Sequence, residues 1–584
     1  GGPATHFEII VPSKAKIGIP FNITIKALDA SGLLASPAYA GTANLTVPSG
    51  FAIDPNQIIF DGSEGSQKTF SVKLAANDLA NWTTITITAK QVSIEGTSSG
   101  IQVTGGNPTH LEIIPTSISG SSYNVFSTVT TGDRDDGLTL VDFNTNEGFY
   151  DKNSDGKLSE VDYIYYSTDG TVNAGDIRLT PVSAGGKTYP AGSIVRSGDS
   201  DGGSLISLSG TTNKHLENIK ADGKYNYGEL IYVDNDNSDR VSNGDERRST
   251  TPGYYTVNAG SSFSFEVRVY DEWKNIVCDY NQSIVFNSSD SQAIFSPSNY
   301  NFIPSDNGKH TFVNGVTLKT AGTQWINALD SGSIQDLMPP FIKVSTSTLH
   351  HFEITPATFS PVAGTPFTIT VKAADAYGNT VTNYTGTVHF STTDTNPSVV
   401  LPINYPYTTG VGGDNGDHQF TNETTLCTAG PQTIYVEDVS NPTIKGNATV
   451  NVQPDTSTDK FYFDPIGPQT RGNPFSITIR VKDSYGNINP SFNGTVTLAA
   501  SSGSIIVQST GTNVTSNFNN GIWTGNVYLT SVSDSTTIKA DTSGVTAGTS
   551  NAFTVSDMDP KSFKFEPIGN QSRNTPFQIT VKAV

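Results

Sequence analysis

Three observations predict an all-β fold of tandem sandwiches. A strand-and-turn unit recurs at intervals near one hundred residues, apolar and polar residues alternate within it, and no stretch carries a convincing helical period. The unit's long strand reads FNITIKALDASG from Phe21, FTITVKAADAYGN from Phe367 and FSITIRVKDSYGN from Phe475, and FQITVKAV from Phe577 opens a further copy. Alternation of period two is the pattern of a half-buried strand. The strand ends in Asp-x-x-Gly, where Asp suits the first turn position and Gly the position at which φ turns positive.

A shorter strand stands a few residues upstream in each copy: HFEII from His6, HLEII from His110, HFEIT from His351, KFYFD from Lys460 and SFKFE from Ser562. Its leading apolar residue is spaced by 104 residues from Phe7 to Leu111, 241 to Phe352, 109 to Phe461 and 102 to Phe563. One gap is too long by about a domain. The missing half reappears at Tyr255, where YTVNAGSSFSFEVRVYDEWKN matches FSPVAGTPFTITVKAADAYGN from Phe359. The predicted organisation is a sandwich over 1–106, a discontinuous second over 107–116 and 254–346, and an acidic insertion over 117–253. Further sandwiches follow over 347–455 and 456–557, with the start of a fifth repeat over 558–584. An insertion placed in a loop costs little. The linkers are a handful of residues, which predicts a semi-rigid row.

The turn after the long strand resembles that of bacterial immunoglobulin-like repeats of the invasin and intimin kind, found in tandem on secreted and surface proteins of bacteria and archaea. The resemblance covers nearly everything outside the insertion and implies immunoglobulin-like β-sandwiches; such modules are mostly spacers and presenters. Repeat two departs from the pattern, with Trp273-Lys274 where repeat three has Tyr377-Gly378.

With 584 residues, several cores are expected. Charged residues are only 15% of the chain and 54 Asp+Glu face 34 Lys+Arg, a net charge of −20. That balance argues against nucleic acid and against an anionic membrane surface, and it suits divalent cations. Apolar runs of a few residues are too short to span a bilayer as a helix. The chain starts at Gly1-Gly2-Pro3 without a signal segment, which is read as a processed or cropped product. Two cysteines rule out a disulfide scaffold and a four-thiolate zinc site. Cys278 and Cys427 fall at unrelated positions of different repeats and are read as unpaired, a bridge between neighbouring domains being the alternative.

Chemistry is expected in the insertion, where residues 131–250 hold 21 Asp+Glu against 12 Lys+Arg, net −9. DKNSDGKLSEVD from Asp151 fits a twelve-position calcium loop. Asp151, Asn153 and Asp155 fill positions 1, 3 and 5, Gly156 makes the turn, Lys157 offers its carbonyl, Ser159 sits at the water-bridged position and Asp162 closes the site. Alternate spacing lets a curled backbone aim successive oxygens at one hard cation. DNDNSDRVSNGD from Asp234 supplies Asp234, Asp236, Ser238, the Arg240 carbonyl and Asp245, with Asp239 where Gly is usual. Two weaker echoes keep Asp169, Asn173 and Asp176, and Asn218, Asp222, Asn226 and Glu229, so the insertion reads as two halves about 70 residues apart. The first loop resembles those of dockerins, in which Asp often takes the twelfth position. Dockerin loops lead into helices, whereas YIYY from Tyr163 and IRLT from Ile177 read as strands, which favours a β-framed calcium module over cohesin binding.

No GxSxG, HExxH, phosphate-binding loop or dinucleotide fingerprint is present, and the chain is read as non-enzymatic. His6, His110 and His351 recur with the repeat and are read as scaffold. His215, His310, His389 and His418 show no partner pattern. Trp273 aligns with Tyr377 and Tyr485 beside the turn and is read as a packing residue rather than a sugar platform. Eleven Asn-x-Ser/Thr sequons, a number near chance in so Ser/Thr-rich a chain, leave glycosylation of any one open.

The class these features resemble is the extracellular surface-layer or surface-filament subunit, held by calcium and assembling with copies of itself. The alternatives are an adhesin stalk presenting a glycan- or protein-binding insertion, and accessory modules of a secreted polysaccharide-active enzyme.

Overall fold

The computed structural model describes the chain except residues 124–140, 143–146, 151–162, 167–176, 179, 181, 185–186, 192–205, 208–212, 217–229, 234–245, 248–250, 333, 337–338, 558–561 and 584. Two compact units divide it, Gly1–Ser347 and Thr348–Val584. The fold is all-β, a tandem series of immunoglobulin-like β-sandwiches built from small, mostly antiparallel sheets.

Repeat one shows how the pattern folds. In Phe21–Leu28 the residues Ile23, Ile25 and Ala27 point into the core, while Asn22 is exposed and Thr24 half-buried. The sheet runs His6–Ile10, Phe21–Leu28, Gln67–Ala75, Ala52–Asp54. A second sheet, Ile94–Thr97, Thr88–Gln91, Ala40–Thr46, Gln57–Asp61, contributes Leu45, Ile58, Phe60 and Ala89 to the same core. The opening hairpin keeps one register throughout: His6 pairs with Leu28, His110 with Tyr270, His351 with Ala374 and Lys460 with Lys482. The three recurrent histidines thus occupy one place in the scaffold. The fifth copy repeats the pairing, Phe563 with Ala583, and there Phe563, Phe565, Phe577 and Ile579 are exposed.

A glycine recurs on the strand packed over the opening strand. A Cβ at Gly96, Gly446 or Gly548 would run into the carbonyl oxygen of Phe7, Phe352 or Phe461 respectively. Only a residue without a side chain admits so close an approach. Repeat two has no glycine there. Its carboxylate-bearing Asp336 bridges to Leu111 instead, and Asp336 Oδ2 accepts from Ile113 N at 2.8 Å.

A short strand precedes the long one and pairs in parallel with the last: Ala15 with Val103 in repeat one, Gln469 with Val555 in repeat four. In repeat two this strand is Thr251–Asn258, parallel to Phe341–Ser345, and Gly120–Tyr123 pairs with its outer edge. The chain therefore enters and leaves the insertion along one two-stranded ladder.

The insertion's described strands form two four-stranded sheets and a separate hairpin in which Val182–Ala184 pairs with Lys187–Tyr189. One runs Ile206–Ser207, Glu147–Tyr150, Tyr163–Tyr166, Ile177–Arg178; the other runs Val141–Asp142, Asn213–Leu216, Leu230–Val233, Glu246–Arg247. Tyr163 and Ile177 do open strands, as their β-rich sequences imply.

Candidate functional sites at the repeat junctions and in the insertion

The turn that closes the long strand is also the joint to the preceding repeat. In the first unit Asp271 Oδ1 accepts from the amides of Trp273 and Asn275, both at 2.9 Å, which shapes the turn. Its Oδ2 accepts from Gly106 N at 2.8 Å and so anchors the linker. The Asn275 side chain spans the junction: Nδ2 donates to Ala76 O at 2.7 Å and Oδ1 accepts from Leu79 N at 3.0 Å. Thr104 Oγ1 donates to Ile276 O at 3.1 Å and accepts from Cys278 N at 2.7 Å. Trp273 packs on the core of repeat one, and its carbonyl accepts from Asp78 N. Lys274 takes a φ of 56°, the left-handed turn that Gly378 and Gly486 supply in the other repeats. Burial pushes the Asp271 carboxyl up despite these donors.

The second unit builds the same joint between repeats three and four. Asp483 Oδ1 accepts from Tyr485 N and Asn487 N, and Oδ2 accepts from the linker amide of Asp455 at 3.0 Å. Asn487 Nδ2 donates to Cys427 O and Oδ1 accepts from Ala429 N, each at 2.7 Å. Tyr485 packs on the core of repeat three, where a Cβ at Gly364 would collide with its ring. An aromatic plug and an asparagine clasp, two residues apart, thus cross both junctions. The aromatic is a packing residue, as its alignment implied; the clasping role of the asparagine had no sign in a single repeat.

Both cysteines are free and buried, and both lie at these junctions. Cys278 Sγ is 4.0 Å from Asn81 Oδ1 of repeat one, and burial followed by the nearby Asp394 and Asp483 charges raises the Cys427 thiol. Beside the second junction Asp459 Oδ2 accepts from Asn489 Nδ2 at 2.5 Å, while its buried Oδ1 has no hydrogen-bond partner among the described residues.

Two aspartates play a second structural part. Asp290 gathers donors from Gln292 N, Lys319 N, Thr320 N and Thr320 Oγ1; Asp394 gathers Asn396 N, Cys427 N, Thr428 N and Thr428 Oγ1. Burial opposes their charge, but the four donors together outweigh it and hold both carboxyls low.

Two histidines read as partnerless do have partners, in a repeated arrangement. His310 Nδ1 lies 3.1 Å from Asp306 Oδ1, and its ring stacks on Tyr300, whose hydroxyl donates to the same carboxylate. His418 Nδ1 lies 2.6 Å from Asp414 Oδ1, with Tyr405 stacked and bonded alike. The signal was present as Asp-Asn-Gly-x-His-x-Phe at Asp306–Phe312 and Asp414–Phe420. His310 faces Val267 and His418 faces Val371, equivalent ladder positions filled by Lys68 and Trp523 in the other repeats. One position taking His, Lys or Trp is a scaffold position.

The proposed calcium ligands all lie outside the described residues: Asp151, Asn153, Asp155, Lys157, Ser159, Asp162, Asp169, Asn173, Asp176, Asn218, Asp222, Asn226, Glu229, Asp234, Asp236, Ser238, Arg240 and Asp245. The strands that bound those segments are described. Tyr150 pairs with Tyr163 around 151–162, Tyr166 with Ile177 around 167–176, Leu216 with Leu230 around 217–229, and Val233 with Glu246 around 234–245. Each acidic segment therefore joins two adjacent antiparallel strands. Among the described residues no group of three or more His, Cys, Asp or Glu is placed to hold a metal ion. Among them, too, no helix is long and apolar enough to cross a membrane.

The class this fold defines is a tandem immunoglobulin-like β-sandwich protein, with a clasped joint between neighbouring repeats inside each unit. No family model matches the chain, and a comparison with curated proteins finds no match. Solved structures similar to parts of it include the FdeC adhesin of Escherichia coli, at 17% identity over 51% of this chain and 93% of that one, TM-score 0.23. Invasin, a bacterial integrin-binding protein, matches at 16% over 51% of this chain and 58% of its own, TM-score 0.23. Domains 4 and 5 of the S-layer protein SbsC match at 16% over 36% of this chain and 100% of theirs, TM-score 0.16. These are bacterial surface proteins of immunoglobulin-like build; at such identities and TM-scores the likeness carries no argument about role.

Proposed function

We propose that the chain is a non-enzymatic, extracellular structural protein, a surface-layer or surface-filament subunit stiffened by calcium. The observation that carries this reading is the junction: the same turn in repeats two and four clasps the preceding repeat through an asparagine side chain and an aromatic plug. Joints fixed by directional bonds transmit load and hold spacing, which is what a strut requires.

Calcium fits the donor chemistry of the insertion, hard oxygens at alternate positions. Bound there, the ion would neutralise crowded carboxylates and fix the segments joining neighbouring strands. The insertion also meets the first junction. Ala191, fully buried, donates its amide to Asn77 Oδ1 at 3.3 Å, next to the Asp78–Leu79 segment that Trp273 and Asn275 engage. A stiffened insertion would thereby brace that joint.

A second reading, an adhesin, is favoured by one loop of repeat three. Asp414 accepts from Thr408 N at 2.7 Å and Asn415 bridges Gly410 and Gly413, which pins a loop whose tip, Val411, is wholly exposed. A fixed apolar tip suits contact with a glycan or protein on another surface. Purified chain with millimolar calcium, viewed by electron microscopy, separates the two: ordered sheets or filaments support the subunit, whereas monodisperse rods that bind cells or glycans overturn it in favour of the adhesin.

A further inference from the structure

The insertion is a duplication whose halves have exchanged strands. In chain order the first half supplies Val141–Asp142, Glu147–Tyr150, Tyr163–Tyr166 and Ile177–Arg178; the second supplies Ile206–Ser207, Asn213–Leu216, Leu230–Val233 and Glu246–Arg247. The offset is 67 residues from Tyr163 to Leu230, and the same 67 carries Asp155-Gly156-Lys157 onto Asp222-Gly223-Lys224. In each half the last three strands form a meander. The first strand does not join its own meander but the other one.

The two exchanges match residue for residue. Val141 pairs with His215 and Asp142 with Lys214; Ile206 pairs with Phe149 and Ser207 with Gly148. His215 and Phe149 are the third residues of equivalent strands, and Lys214 and Gly148 the second. Each meander therefore leaves one edge that is completed only by a strand from the opposite half, in one register. An edge of this kind is a specific acceptor, because its backbone donors and acceptors are satisfied by one partner sequence in one alignment.

We infer that the insertion is a copy-to-copy linking element, in which the first half of one chain is completed by the second half of another copy. The pairings made between chains would be those already made within one, so exchange between copies loses no contact and needs no new interface. What favours closure within a chain is effective concentration, set by the 27-residue connection 179–205 together with the ladder of Gly120–Tyr123 and Thr251–Asn258, which ties both halves to one sandwich. Each exchanged strand is two residues long, so few bonds must break for partners to change. At the packing density of a surface assembly the balance moves toward exchange between copies. Two copies close a reciprocal dimer, and unreciprocated exchange runs on as a chain of subunits. The inference uses strand pairing alone and stands apart from whether calcium binds.

The test uses full-length chain and cysteine pairs at the exchanged ladder. One chain carrying Val141→Cys with His215→Cys, and a second carrying Asp142→Cys with Lys214→Cys, are oxidised and mapped by peptide mass spectrometry. Two adjacent pairs are used because one of any two is the closer, non-hydrogen-bonded kind. Then equal amounts of a Val141→Cys chain and a His215→Cys chain are unfolded together, refolded over a hundred-fold range of concentration, and oxidised. The expected result is the 141–215 disulfide within the double variant. In the mixture a covalent 141–215 dimer should appear whose fraction rises at least ten-fold across the range. A Val141→Cys chain mixed with a Phe149→Cys chain, both sites in first halves, should give no such rise. A mixture that never exceeds this control overturns linking between copies, and a double variant that forms no 141–215 bond overturns the exchange itself.

Discussion

Replacing Asn487 by alanine isolates the clasp, because the side chain lies outside the apolar cores of repeats three and four while joining one to the other. The change removes the bonds to Cys427 O and Ala429 N, both 2.7 Å, and the bond from Nδ2 to Asp483 Oδ2 at 2.8 Å. The last is internal to the turn. At about 1 kcal/mol net for each inter-repeat bond, the open junction gains about 2 kcal/mol relative to the closed one. That is roughly a thirty-fold rise in the open fraction, given a factor of ten per ~1.4 kcal/mol.

Cys427 is the reporter. Its side chain is fully buried and Asp483 of the next repeat lies close enough to raise its thiol further, so a thiol reagent reaches it through opening. Labelling of native protein, followed by mass spectrometry of the two cysteine peptides, should show Cys427 reacting about thirty-fold faster in Asn487→Ala. Cys278, in the other unit, should keep its parental rate. Asn275→Ala should do the converse by a smaller factor, since Thr104 Oγ1 still bonds Ile276 O and Cys278 N there. An Asn487→Ala rate within three-fold of the parent, or equal acceleration of both thiols, would refute the clasp.

Three further outcomes follow from other residues. His110 is pushed down to about 4 by burial, with Lys274 adding to it, while an unfolded imidazole sits near 6.5. The folded state therefore binds fewer protons in between, and its stability, intact above pH 6.5, falls by about 3 kcal/mol as the pH drops toward 4. Asp271, raised by burial, works in the opposite sense. Calorimetry of His110→Phe should hence show a flatter loss of repeat two's melting temperature between pH 7 and 4.5 than the parent, and parallel slopes would contradict the assignment. Gly446→Ala drives a Cβ into the Phe352 carbonyl and should lower the melting transition of repeat three by 10 °C or more, on the basis of about 2–3 kcal/mol for forced overpacking; an unchanged transition would disprove the close approach. Chelator should lower the insertion's transition in the parent but not in an Asp151→Ala, Asp155→Ala double variant, and identical responses would remove the first loop as a calcium site.

What the sequence made legible is what repeats locally. Alternation placed Phe21–Leu28, Phe367–Ala374 and Phe475–Lys482, and copy-to-copy alignment located the insertion although its two flanks are far apart in the chain. The short parallel strand escaped because three residues, as in Lys14–Lys16, carry no measurable period. The Asp-Asn-Gly-x-His-x-Phe segments escaped because they occur in only two repeats, so alignment of the long strands passes over them. Gly96, Gly446 and Gly548 look like ordinary strand glycines until the carbonyl above each is known. The exchanged strands are the extreme case: two residues each, with Val141 paired to His215 and Phe149 to Ile206, partners far along the chain that no local pattern announces.

The junctions explain why one turn sequence recurs with such fidelity. The bend itself needs only Asp and a residue tolerant of positive φ, and repeat one has these, Asp29 and Gly32, with Ser31 and Leu33 at the other two positions. Repeats two, three and four carry an aromatic at the third position and an asparagine at the fifth, and in repeats two and four both reach across to the preceding repeat. In repeat two the plug is Trp273 and the next residue is Lys274, held at positive φ without being glycine. That conformation costs about 1 kcal/mol for a residue with a side chain. The positive-φ Lys274 sits at the joint where the insertion's Ala191 also meets repeat one.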